Sequence, residues 1–171
     1  MVDGGTQSRL PLRLAVVLGI VAVVLCAGLA VLLVERGHHP SPGLNGKEQA
    51  AVDAATREMI ALQSFRVAHF DADFQRAQSG LTGGLLKELT GKKTSLQTSL
   101  AKSKLDTLAT VTQAALQQAN GASASVLLTM NNYRVDAKGK QTLFGTGRFA
   151  VTVTDVGGKW LASDLTSVGL I

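Results

Sequence analysis

Arg66, His69 and Asp73 are spaced three and four residues apart, the separation that stacks side chains on one face of a helix. A carboxylate four residues beyond an imidazole can orient the ring for proton transfer, with the guanidinium three residues before the imidazole at the same pocket mouth. The trio is the candidate ligand-binding cluster of the chain, placed at a pocket mouth. The same spacing also describes an ion-pair ladder bordering a core, and on that reading no residue is assigned as catalytic. The remaining histidines, His38 and His39, fall in a Gly/Pro-rich stretch and read as solvated. No serine sits in a G-x-S-x-G elbow. Gly80, Gly83 and Gly84 lack the following Lys-Ser/Thr pair of a phosphate-binding loop. Metal ligands outside the His38-His39 stretch are sparse. The expectation is a non-enzyme with neither cofactor nor metal.

These residues need a scaffold, and the scaffold begins with residues 14–34, LAVVLGIVAVVLCAGLAVLLV. This uncharged apolar run of roughly 21 residues is long enough to span a hydrocarbon core as a helix. A signal peptide has a shorter core, and Gly28-Leu29-Ala30 offers it a cleavage site, but the run continues through Val34 and so reads as an uncleaved anchor. Arg9 and Arg13 precede it and Arg36 follows, which places the N-terminus inside and the rest of the chain outside the cytoplasm. Ala15, Gly19, Ala22, Cys26 and Ala30 fall in one narrow arc of such a helix. Small residues in a stripe permit close packing against another span; a stripe of this kind also arises from composition alone. Cys26 is the one cysteine, so the external part has no internal disulfide and must be stable through its core. The organisation is a tail at 1–13, a span at 14–34, a linker at 35–46 and a domain at 47–171.

Within the domain, residues 47 to about 79 read as helix, with Val52, Met59, Phe70, Phe74 and Ala77 on one face if it is continuous. Ala55, Leu62 and Val67 lie at the edges of that face, and Ser64-Phe65 marks a kink or restart. His69 falls on the apolar side of a continuous helix. A short helix carries Leu85, Leu86 and Leu89 and ends at Gly91. A more polar one runs from about Thr94 to Lys104, with Leu96 and Leu100 facing inward. The texture then turns β-branched, with strands expected at about 106–118, 123–134, 142–155 and 159–167. Asn120-Gly121, Lys138-Gly139 and Gly157-Gly158 mark the turns. Helices followed by a meander give an α+β domain with helices on one face of a curved antiparallel sheet. Tyr133 and Trp160 are expected in or beside the sheet core, each with its polar atom at an edge.

The order of elements resembles the cone-shaped SnoaL-like fold of the nuclear-transport-factor superfamily. With the span added, the chain is similar to the Mce-associated membrane proteins of actinobacteria. The residues that carry this resemblance are Ala50-Ala51 with Leu62, Phe65-Arg66, Asp73 through Ala77 to Gly80-Leu81-Thr82-Gly83, and the closing Gly158-Lys159-Trp160-Leu161-Ala162-Ser163-Asp164-Leu165. The resemblance implies an accessory or stabilising subunit, not an enzyme, of an Mce complex that carries lipids or sterols through the cell envelope. The partners expected are the other complex subunits or other membrane proteins, together with membrane lipid. By the same resemblance Trp160, in the G-x-W opening of the closing strand, is a core residue.

The net charge of +5 raises the question of nucleic acid, but aromatic residues at 4% give few stacking platforms, and an external domain does not meet nucleic acid. Lys87, Lys92, Lys93, Lys102 and Lys104 form the densest basic group, either a solvated helix face or a contact with anionic headgroups. The function expected is a single-pass accessory subunit at the plasma membrane with its domain outside the cytoplasm. The alternatives are an anchored carrier holding one apolar ligand, a lipid or sterol, in its cone, and a SnoaL-like enzyme centred on His69.

Overall fold

A computed structural model describes residues 43–170. The tail, the apolar run with its small-residue stripe, and most of the linker lie outside the described residues. Among the described residues no helix is long and apolar enough to cross a membrane.

Helix α1 spans Gly46–Gln63. Asn45 starts it through a capping box: its Oδ1 accepts from the Lys47 and Glu48 amides, and the Glu48 carboxylate accepts from the Asn45 amide. Ala51, Ala55 and Met59 repeat every four residues and are fully buried. The helix stops here, at the Ser64-Phe65 position that the sequence marks as a kink or restart. Ser64 and Phe65 turn extended and add to the edge of the sheet. Phe65 and Thr107 exchange both backbone hydrogen bonds, and the Ser64 hydroxyl accepts from the Ala109 amide. Those bonds satisfy the backbone groups that leaving the helix exposes. A 3-10 turn, Val67–His69, leads into α2, Phe70–Ser79. Val67, expected at the edge of the apolar face, and His69, expected on its apolar side, are both exposed. The break rotates them away from the core.

Two more helices follow, α3 at Gly83–Gly91 and α4 at Lys93–Ser103. Leu85, Leu89 and Leu100 are buried, while Leu86 and Leu96 pack half-buried against the core. Four strands then form one antiparallel sheet in the order β1-β2-β3-β4: Asp106–Asn120, Ser123–Val135, Gln141–Val156 and Lys159–Leu170. The β3–β4 turn uses Gly157 and Gly158 at φ +63° and +87°, the left-handed pair that a two-residue hairpin of this twist requires. Bulges interrupt β1 at Thr112 and Gln117 and β3 at Phe144, and such insertions bend a sheet.

The concave face carries Val126, Leu128 and Met130 of β2 and Val151 and Val153 of β3, all at 0% exposure, and α1 packs across them. Trp160 is half-buried at the margin of this core, not inside it as expected, because β4 forms the edge of the sheet. That edge is fastened to the end of α2: Ala162 donates to the Gly80 carbonyl and accepts from the Thr82 amide.

Candidate functional site

The break after α1 decides what becomes of Arg66, His69 and Asp73. Asp73 lies in the first turn of α2 with no exposed surface. Its Oδ2 accepts from the Arg66 backbone N–H at 2.8 Å and from Arg66 Nε at 3.0 Å. Its Oδ1 accepts from an Arg66 terminal nitrogen at 2.7 Å and from Arg76 at 2.8 Å. Burial pushes the carboxyl upward, yet the Arg66 side-chain and backbone hydrogen bonds, with the charges of Arg76 and Arg66, outweigh it and hold the group down from 3.8 to about 2. The hydrogen bond and charge of Asp73 raise Arg66 in turn.

A carboxylate offers about four lone-pair sites, and here the two arginines fill them. Asp73 therefore does not orient His69, which points away from the core on the exposed turn. Structure brings together Arg66 and Asp73, joined by Arg76, and leaves His69 out. The arrangement closes the loop between α1 and α2: Arg76 also donates to the Ser64 carbonyl. Two tilted aromatic contacts, Phe65–Phe70 at 5.8 Å and Phe70–Phe74 at 5.6 Å, line the underside of the same loop.

An open site of the domain lies beside this loop, and none of the three residues lines it. It is a cavity of about 530 Å³ at one end of the concave face, within the range of about 300–1,000 Å³ of small-molecule sites. Leu62, Gln63, Phe65 and Phe70 come from the α1–α2 junction, and Leu96, Ser99, Leu100 and Ser103 from one side of α4. Leu105 and Thr107 lie at the start of β1, Asn132 and Arg134 at the end of β2, and Phe144 on β3. The Arg134 guanidinium sits 4.9 Å from the centre of the Phe144 ring, a cation–π distance. Among the described residues no cluster of three or more His, Cys, Asp or Glu could hold a metal.

The basic group of α3 and α4 is partly neutralised. Lys92 pairs with Glu88, and Lys93 pairs with Asp71 at 2.8 Å while its ammonium lies 5.3 Å from the Phe74 ring centre.

A family model described as "Uncharacterized protein Rv1363c/MT1408-like" matches residues 12–168. The uncharacterized protein Rv1362c of Mycobacterium tuberculosis H37Rv is 31% identical over 125 residues, covering 72% of this chain and 57% of that protein. The chain thus spans rather more than half the length of that relative. Among solved structures, an IcmL-like type IV secretion system protein of Legionella pneumophila superposes with a TM-score of 0.60 at 12% identity, over 75% of this chain and 95% of that one. A periplasmic fragment of TraM gives 0.58 at 10% identity, over 72% and 98%. VirB8 of Agrobacterium tumefaciens gives 0.55 at 12% identity, over 77% and 97%. At these identities the likeness is one of fold: four antiparallel strands with helices on one face.

Proposed function

The chain belongs to the Rv1363c/MT1408-like family; we propose that it is a single-pass, non-enzymatic accessory or stabilising subunit of an Mce-type lipid or sterol transport complex in the cell envelope. The observation that carries this reading is the filled centre of the concave face. Val126, Leu128, Met130, Val151 and Val153 have no exposed surface beneath α1, so the middle of the concave face is a packed core, which supports the non-enzymatic reading. Arg66 and Arg76 saturate the Asp73 carboxylate, which supports a structural role for that cluster. The periplasmic origin of the TraM fragment supports a domain outside the cytoplasm, and the apolar run at 14–34 supplies the anchor. Membership of the Mce-associated group itself rests on the sequence resemblance.

The test is purification of the full chain from native membranes in mild detergent. Subunits of an Mce-type transporter should co-purify. Replacing Gly19, Ala22 and Cys26 together by leucine should weaken that association, because bulk then separates the spans; the same change at Val17, Val24 and Gly28 should not. Purification without any transport subunit overturns the reading.

A second reading, a carrier for one apolar ligand, is favoured by the cavity beside α4. It is compatible with the first, since a subunit of a lipid transporter can also hold its cargo.

A further inference from the structure

The inward row of β2 changes character along its length. Ala124, Val126, Leu128 and Met130 are buried, and the same face then continues as Asn132 and Arg134, since alternate residues of a strand share a face. Both line the cavity, whose buried walls include Phe65, Phe70 and Leu100. Gly145 stands opposite Asn132 in the β2–β3 register, and a Cβ there would meet nothing within 4 Å, so the sheet leaves the space before Asn132 open. The bulge next to Gly145 adds Phe144 as an unpaired residue on the cavity wall, beside Arg134.

The polar groups at this end are underused. Gln63 Nε2 donates only to the Met130 sulfur, at 3.6 Å. Arg134 is the single charged residue of the lining, and no carboxylate among the described residues pairs with it. A wholly apolar ligand would strip water from these groups and return nothing. A cationic head would meet the guanidinium. An anionic head would accept from the Arg134 fork and the amides of Asn132 and Gln63 together.

We infer that this cavity binds one single-chain amphiphile with an anionic head, the hydrocarbon against Phe65, Phe70 and Leu100 and the head on Arg134, Asn132 and Gln63. The inference deepens the carrier reading and rests on it.

The experiment uses the full chain in isolated membranes and two photoactivatable probes of equal chain length, hexadecanoic acid and hexadecanol, each with a mid-chain diazirine and a terminal alkyne. Acid adducts should map to residues 93–103 and 141–147. Arg134→Gln should reduce acid labelling by about tenfold, the worth of one hydrogen bond to a charged group, and Arg134→Lys should restore most of it. Alcohol labelling should be weak and indifferent to both changes. Ser103→Trp, which fills the cavity, should abolish labelling by either probe, with protease resistance confirming that each variant is folded. Equal labelling of those segments by acid and alcohol, unchanged in Arg134→Gln, overturns the anionic head and leaves the carrier reading standing. Absence of adducts on both segments overturns carrier and amphiphile together.

Discussion

Asp73→Asn isolates what the buried carboxylate contributes. The wild-type group accepts four hydrogen bonds from Arg66 and Arg76. Asparagine keeps the shape but presents an N–H2 to a guanidinium, so one oxygen's bonds are lost and a donor faces a donor. Breaking a buried ion pair costs about 3–5 kcal/mol. The two arginine side chains are about half exposed here (51% and 49%) and regain water, which places the expected loss near the lower figure, about 3 kcal/mol. Part of that loss titrates. The folded carboxyl sits at about 2 and its ordinary value is 3.8, so on acidification the unfolded chain takes up the proton first. The stabilisation is complete above pH 4, erodes between pH 4 and pH 2, and is gone below; its size is about 2 kcal/mol before screening. Urea unfolding of residues 43–171, followed by the fluorescence of Trp160, gives the stability of both proteins at each pH. The gap between them should be about 3 kcal/mol at pH 7 and shrink by more than half as pH falls through that window. A gap below about 1 kcal/mol at neutral pH, or one that stays constant down to pH 2, refutes the assignment of Asp73 as the electrostatic centre of the α1–α2 junction.

Gly80→Ala places a Cβ 1.5 Å from Glu58 Oε2, on a carboxylate that is buried and bonded to Arg57. Overpacking of this kind should cost about 2–3 kcal/mol, read as a lower urea midpoint, and adding Glu58→Ala should recover part of it; an unchanged midpoint would show that the contact yields freely. For topology, a cysteine replacing Lys138 in the exposed β2–β3 turn, in a Cys26→Ala background, should react with an impermeant maleimide on intact cells. Reaction only after lysis would put the domain in the cytoplasm.

The sheet was readable from sequence because its signals are local. The alternation of Val151 and Val153 with Thr152 and Thr154, and the paired glycines at 157–158, determine strand and turn within a few residues. The restart after Gln63 was visible only as a flaw at Ser64-Phe65, because what ends α1 is a backbone pairing with Thr107, far along the chain. The same break explains the candidate cluster. Helical spacing suggested Arg66, His69 and Asp73 as one face, whereas the real bonds join Arg66 to Asp73 across seven residues and exclude His69. The G-x-W opening of the closing strand points, by resemblance, to Trp160 as core, but its burial is limited because β4 is an edge strand. The cavity was barely legible, because its walls come from α1, α2, α4 and three strands. One clue was present, the polar continuation of the inward β2 row from Met130 to Asn132 and Arg134.

The fastening of both sheet edges has a kinetic meaning. Phe65 holds the outer side of β1 at Thr107, and Gly80 and Thr82 hold the outer side of β4 at Ala162; one stretch of chain, with α2 in its middle, makes both attachments. Neither outer strand can peel away at these points without releasing that stretch, and releasing it uncovers Phe70 and Phe74. Opening at one margin is therefore expected to favour opening at the other, so the amides of Phe65, Thr82, Thr107 and Ala162 should exchange with similar protection. The coupling guards a vulnerable sequence. From Thr107 to Tyr133 no side chain carries a charge, so the first hairpin lacks the lysines that ordinarily repel an incoming strand, and cooperativity at its outer margin stands in their place.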